Sequence, residues 1–110
     1  MIQETIRKIE DRIKSAAPIS EAKKAELLQL LARLKNEIVE LSSTKNEQAE
    51  SIARFAHLST HEATRQKQNP KLLRLAVDGL ASSVKEFEAT HPKLVELVNS
   101  ICTRLSSLGL

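Results

Sequence analysis

Residues 20–66 read SEAKKAELLQLLARLKNEIVELSSTKNEQAESIARFAHLSTHEATRQ, a long stretch with neither glycine nor proline. Its apolar positions, Leu27, Leu31, Leu34, Ile38 and Leu41, alternate steps of four and three. The same frame then passes through Lys45 and Gln48 and picks up Ile52 and Phe55. An α-helix turns once in 3.6 residues, so this spacing lays one oily seam along one side of a helix. Ser20 stands where an N-cap belongs, and Glu21 meets the positive end of the helix dipole. The reading is one helix over 20–66, about 70 Å long at 1.5 Å per residue. Its weak point is Ser42-Ser43-Thr44, whose hydroxyls compete for backbone hydrogen bonds, and a break there is the alternative.

The flanks repeat the pattern. Ile2, Ile6, Ile9 and Ile13 predict a helix over 2–16 that stops before Pro18. Asn69-Pro70 supplies an N-cap and a proline suited to the first helical position. From there Leu73, Val77, Leu80, Val84 and Phe87 predict a helix over 70–90. His91-Pro92 interrupts it, and Leu94, Val98, Ile101, Leu105 and Leu108 set a fourth helix over 92–108, with Gly109 suited to a left-handed C-cap. Gly79, inside the third helix, costs about 1 kcal/mol relative to Ala, so close backbone packing is expected there. The chain is read as all-α: a single domain over 1–110, a bundle of about four helices built on a long antiparallel hairpin with coiled-coil-like packing.

Helix lengths then predict exposed oil. The third and fourth helices together match the second, while the first covers only the start of it. That leaves a two-helix projection near residues 48–88. One side carries Leu72, Leu73, Leu75, Ala76, Val77, Leu80, Ala81, Val84 and Phe87. The other offers Ile52, Phe55 and Leu58 with the small residues Ala49, Ala53, Ala56 and Ala63. Two helices cannot hide so wide an apolar face from water, so a second copy or another protein is expected to cover it. The expected interface comprises Ile52, Phe55, Leu58, Leu72, Leu75 and Leu80, in a homodimer or higher homo-oligomer.

Composition narrows the classes of function. Lys and Arg number 17 against 14 Asp and Glu, a net charge of +3 with the two signs interleaved along the chain. Phe55 and Phe87 are the only aromatic residues besides the three histidines. A nucleic-acid binder gathers positive charge on one face and stacks bases on aromatic rings, so that class is disfavoured. Cys102 is alone, which precludes a disulfide within the chain and fits a reducing cytoplasm. No apolar run approaches the roughly 20 residues that span a bilayer, and charge from Glu4 onward is unlike a signal peptide. A cytoplasmic protein with no membrane partner is the expectation.

Candidate chemistry is sparse. His57 and His61 stand four apart, the spacing of helical zinc ligands, with Asp78 across the predicted hairpin as a third ligand. In the helical frame both histidines fall outward, as two solvated side chains would. Glu88-Ala89-Thr90-His91 matches the Glu-x-x-His element of di-iron carboxylate bundles, which need two such elements and two further glutamates. Cys102 adjoins the core position Ile101, where a buried, inert thiol is expected. Arg65, Lys67, Lys71 and Arg74 form a small basic cluster at the hairpin tip, as a solvated turn often does. No glycine-rich phosphate loop and no nucleophile–base spacing is present, so no enzyme, no cofactor and no resident metal are expected. Metal binding through His57 and His61, or through Glu88 and His91, is the alternative to the interaction module.

Phe87-Glu88-Ala89-Thr90-His91-Pro92-Lys93-Leu94, followed by Leu105-Ser106-Ser107-Leu108-Gly109-Leu110, resembles a family of short bacterial helical proteins catalogued as a domain of unknown function. The resemblance implies a helical hairpin turning at Phe-Glu-x-x-His-Pro-x-Leu, a bacterial source and no assigned activity.

Overall fold

The computed structural model describes residues 1–17 and 19–108; the helix stop assigned to Pro18 and the C-cap assigned to Gly109 lie outside the described residues. Five α-helices follow one another: α1 (Ile2–Ser15), α2 (Glu21–Ser42), α3 (Asn46–Ala63), α4 (Pro70–Ser83) and α5 (Pro92–Leu108). A short 3-10 turn, Lys85–Phe87, separates the last two. The starts obey local chemistry. Ser20 accepts a hydrogen bond from the Lys23 amide at 3.3 Å, and Asn69 Oδ1 accepts from the Lys71 and Leu72 amides at 3.1 and 3.3 Å. Each bond satisfies an amide that a helix start otherwise leaves without a partner.

The 20–66 rod is corrected: the chain breaks at Ser43-Thr44-Lys45. The Ser42 hydroxyl donates to the Val39 carbonyl at 2.6 Å, and the Ser43 hydroxyl to that of Glu40 at 2.8 Å. The amides of Ser43 and Thr44 reach back only three residues, to Glu40 and Leu41. These bonds tighten and close the end of α2. Lys45, at φ −136° and ψ 65°, then redirects the backbone into α3. An unbroken helix of about 70 Å would be almost twice the longest dimension of the molecule, which measures 37 × 24 × 21 Å. The radius of gyration, 12.9 Å, matches the roughly 13 Å expected for a compact chain of this length.

The long hairpin and its two-rod projection are therefore replaced by a closed body. α3 lies at its centre and touches α1, α2, α4 and α5. Ala49, Ala53, Ala56 and Ala63 are all buried along α3, and their small side chains let the neighbours approach closely. The oily seams of all five helices merge into one continuous core, from Ile6, Ile9 and Ile13 of α1 to Leu94, Val98, Ile101 and Leu105 of α5. A seam that meets several neighbours is not the paired seam of a coiled coil.

The third helix also ends earlier than 90. α4 stops at Ser83, whose hydroxyl donates to the Leu80 carbonyl at 2.6 Å. The Phe87 amide donates to Val84 at 2.9 Å, and that of His91 to Phe87 at 2.7 Å. Pro92 then opens α5 at a position where its missing N–H leaves no bond unmade. This corner tucks Phe87 into the core, with the His91 ring set edge-on to it at 5.4 Å between centroids. Polar ties hold the periphery. Arg12 Nε donates to Thr64 Oγ1 at 2.6 Å, and Gln68 Nε2 donates to the carbonyls of Ala63 and Leu108 at 2.7 and 3.2 Å.

Candidate docking face

α3 and α4 are joined by the loop 64–69 and pack side by side. Four of the six residues assigned to an interface from sequence border solvent on this pair. Phe55 is 36% exposed, Leu58 45%, Leu72 42% and Leu75 67%. They are contiguous. Phe55 lies directly against Gly79 of α4. Phe55–Leu58 and Leu72–Leu75 are i,i+3 neighbours on their helices, and Leu75–Gly79 are i,i+4, spacings that stack side chains on one face. Ile52 and Leu80 are corrected: both are fully buried in the core and cannot meet a partner. Ile52 and Phe55 lie on one seam of α3, yet only Phe55 borders water.

The ends of this helix pair differ in charge. Arg65, Lys67, Lys71 and Arg74 surround the loop end, where the acid is Glu62. Glu62 is itself buried and held by Arg65, Nη1 to Oε1 at 2.9 Å. Glu47 and Glu50 at the start of α3, with Glu86 and Glu88 after α4, give the opposite end an acidic bias against Lys45 and Lys85. The basic cluster expected at a tip is thus one pole of a polarised pair.

The metal alternative fares differently. His57 and His61 lie on the side of α3 that faces α1, where Lys8 and Arg12 approach. Asp78 instead acts on the Cys102 thiol of α5, and it does not join His57 and His61 in a metal-ligand group. Glu88 is exposed, and the His91 Nδ1 lies 2.9 Å from Thr90 Oγ1. Among the described residues no three His, Cys, Asp or Glu side chains come together as a metal-ligand group. Cys102 is buried, its thiol 3.7 Å from the Val77 carbonyl. Burial, and then the Asp78 charge, push its pKa up to about 11, so it stays a thiol at neutral pH.

His57 is held below its ordinary value of 6.5 by burial, then by Lys8, His61 and Arg12. Its folded pKa is therefore lower than its unfolded one. The neutral ring stabilises the fold in full above pH 6.5, and that contribution is lost as pH falls through the folded value. Urea titrations on the acid side of neutrality should show a stability slope that His57→Gln flattens.

A groove of about 580 Å³ runs between α2 and α5 beside Leu30, Arg33, Glu37, Lys93, Glu96 and Leu97. Charges of both signs line it, so it favours neither an anion nor a cation. No helix among the described residues is long and apolar enough to cross a membrane. Sequence reasoning anticipated close packing at Gly79 but not its contact, since periodicity along one helix does not say which residue of another lies opposite.

A family model described as Domain of unknown function (DUF4404) matches residues 27–110, and the chain belongs to that family. No curated protein and no solved structure matches it.

Proposed function

We propose that this DUF4404-family chain is a non-enzymatic helical module that associates reversibly with a second copy of itself through the outer face of α3 and α4. The observation that carries this reading is the contiguous run of Phe55, Leu58, Leu72 and Leu75 at the surface of one helix pair. Water gains by losing such a face, at about 25 cal/mol per Å² of apolar area removed. Two antiparallel helices meeting their own copy across a twofold axis make a four-helix interface.

Charge supports a second copy over an unrelated partner. A twofold axis perpendicular to the helices sets the basic loop end of one copy beside the acidic end of the other. Only four large apolar side chains are partly exposed on this face, a small apolar centre compared with the more hydrophobic interfaces of obligate dimers, which favours reversible association.

Sedimentation velocity across a concentration series tests the reading. The expected result is an average mass that climbs from 12.2 kDa with concentration, while the double variant Leu58→Glu, Leu75→Glu stays at the monomer mass. A wild-type chain that remains monomeric up to about millimolar concentration removes the proposal.

A further inference from the structure

Folding sorts charges that alternate along the chain. Four ties gather one end of every helix at the same end of the molecule. Arg12 Nε joins the end of α1 to Thr64 at the end of α3 at 2.6 Å, and Lys24 Nζ of α2 donates to the Lys14 carbonyl at 3.0 Å. Gln68 Nε2 joins the loop 64–69 to the Leu108 carbonyl of α5 at 3.2 Å, and Arg104 pairs with Glu26 of α2. Residues 11–27, 60–75 and 101–108 make up this end and carry nine Lys and Arg against four Asp and Glu; the rest of the chain carries eight against ten. Helix dipoles account for only part of the bias. Cations suit the C-termini of α1, α3 and α5, but Lys23 and Lys71 stand in the first turns of α2 and α4, where the dipole disfavours them. Three glutamates of this end pair locally, Glu21 with Lys24, Glu26 with Arg104 and Glu62 with Arg65. Lys14, Lys23, Lys67, Lys71 and Arg74 are exposed and, among the described residues, form no ion pair. Asp78, one turn past Arg74, is the next acid along α4.

We propose that this end rests on an anionic lipid surface, with Leu72 and Leu75 entering the headgroup layer and Lys67, Lys71 and Arg74 meeting lipid phosphates. Both leucines are exposed on the first two turns of α4, and each adjoins a cation, Lys71 beside Leu72 and Arg74 beside Leu75. Apolar side chains set among cations are what a surface-lying element presents to such a bilayer. Each Lys or Arg held near it adds roughly fivefold to affinity, and the acidic far end turns away, which favours one orientation. A nucleic acid would meet the cations but leave the leucines wet, and of the two phenylalanines only Phe55 borders solvent for a base to stack on. That no described helix is long and apolar enough to cross a bilayer does not bear on a contact with its surface. The inference stands apart from the self-association reading, although Leu72 and Leu75 serve both surfaces.

Flotation of the full chain with lipid vesicles tests this. At low salt the chain should bind vesicles of mixed phosphatidylglycerol and phosphatidylcholine, bind phosphatidylcholine alone weakly, and lose affinity several-fold as added salt screens the charges. Lys71→Glu with Arg74→Glu, and separately Leu72→Ser with Leu75→Ser, should each lower the partition constant about tenfold or more. All four positions are exposed, so the variants should keep the helical circular dichroism of wild type. Lys85→Glu with Lys93→Glu, the same charge change away from this end, should cost far less. No binding to the anionic vesicles at low salt overturns the inference. An equal loss in the Lys85 and Lys93 variant also overturns it, because net charge alone would then govern. So does binding that ignores the leucine pair and is matched by a low-salt shift of double-stranded DNA, the mark of a general polyanion site. Sedimentation without vesicles decides self-association separately: a monomer that binds vesicles sinks that reading alone, and a dimer that does not bind them sinks this one alone.

Discussion

Phe87→Ala should lose about 3–5 kcal/mol of folding free energy, read as a fall in the urea midpoint with little change in slope. Phe87 is 2% exposed and sits on the 3-10 turn that bends the chain from α4 into α5. Truncating it leaves a cavity in a close-packed core, and neighbours relax into such a space only in part. It also strips the edge contact to His91, whose amide donates to the Phe87 carbonyl at the same corner. Domains of this size are stable by about 5–15 kcal/mol, so this one substitution removes a large share of the total. Glu88→Ala, at the next residue along the corner but exposed, should shift the midpoint little, within about 0.5 kcal/mol. A small Phe87 effect beside a large Glu88 effect would contradict a packing role for the corner and favour a polar one.

Ala56→Leu should cost about 1–3 kcal/mol for the opposite reason. Ala56 is 1% exposed, on the central helix that four others touch. A leucine there adds three carbons where neighbouring helices lie close, so side chains must leave their rotamers or α3 must shift. Its carbonyl also accepts the buried Thr60 hydroxyl at 2.9 Å, which limits how far the backbone can move. Thermal unfolding followed by circular dichroism checks it. A variant as stable as wild type would mean that α3 is looser than its burial suggests.

These two sites also mark what the sequence reveals and what it conceals. Helix starts were legible because caps are local chemistry: Ser20 and Asn69 accept the amide bonds their positions predict. The all-helical class followed from the period of the apolar residues. The break after α2 was harder to read. Ile52 and Phe55 continue the phase of Leu27 to Leu41, so counting along the chain carries the seam straight across the turn. The available signal was the polar pair Lys45 and Gln48 on two successive seam positions, next to three hydroxyl side chains. Once α3 folds back, the alanines opposite α4 become the inner face of a closed body, and the excess oil of the expected projection shrinks to one modest face. Phe55 and Ile52 share a seam in sequence; only the placement of neighbouring helices decides that one borders water and the other does not.

The same logic reaches the first helix. Ile6, Ile9 and Ile13 of α1 belong to the continuous core, yet the family match begins at residue 27. A version trimmed to the matched segment would therefore lack one wall of its own interior, leaving the buried residues on that side open to water. Trimming to the match would thus be expected to yield a sticky, poorly folded fragment, and any homologue that keeps only that segment must roof over the gap by other means.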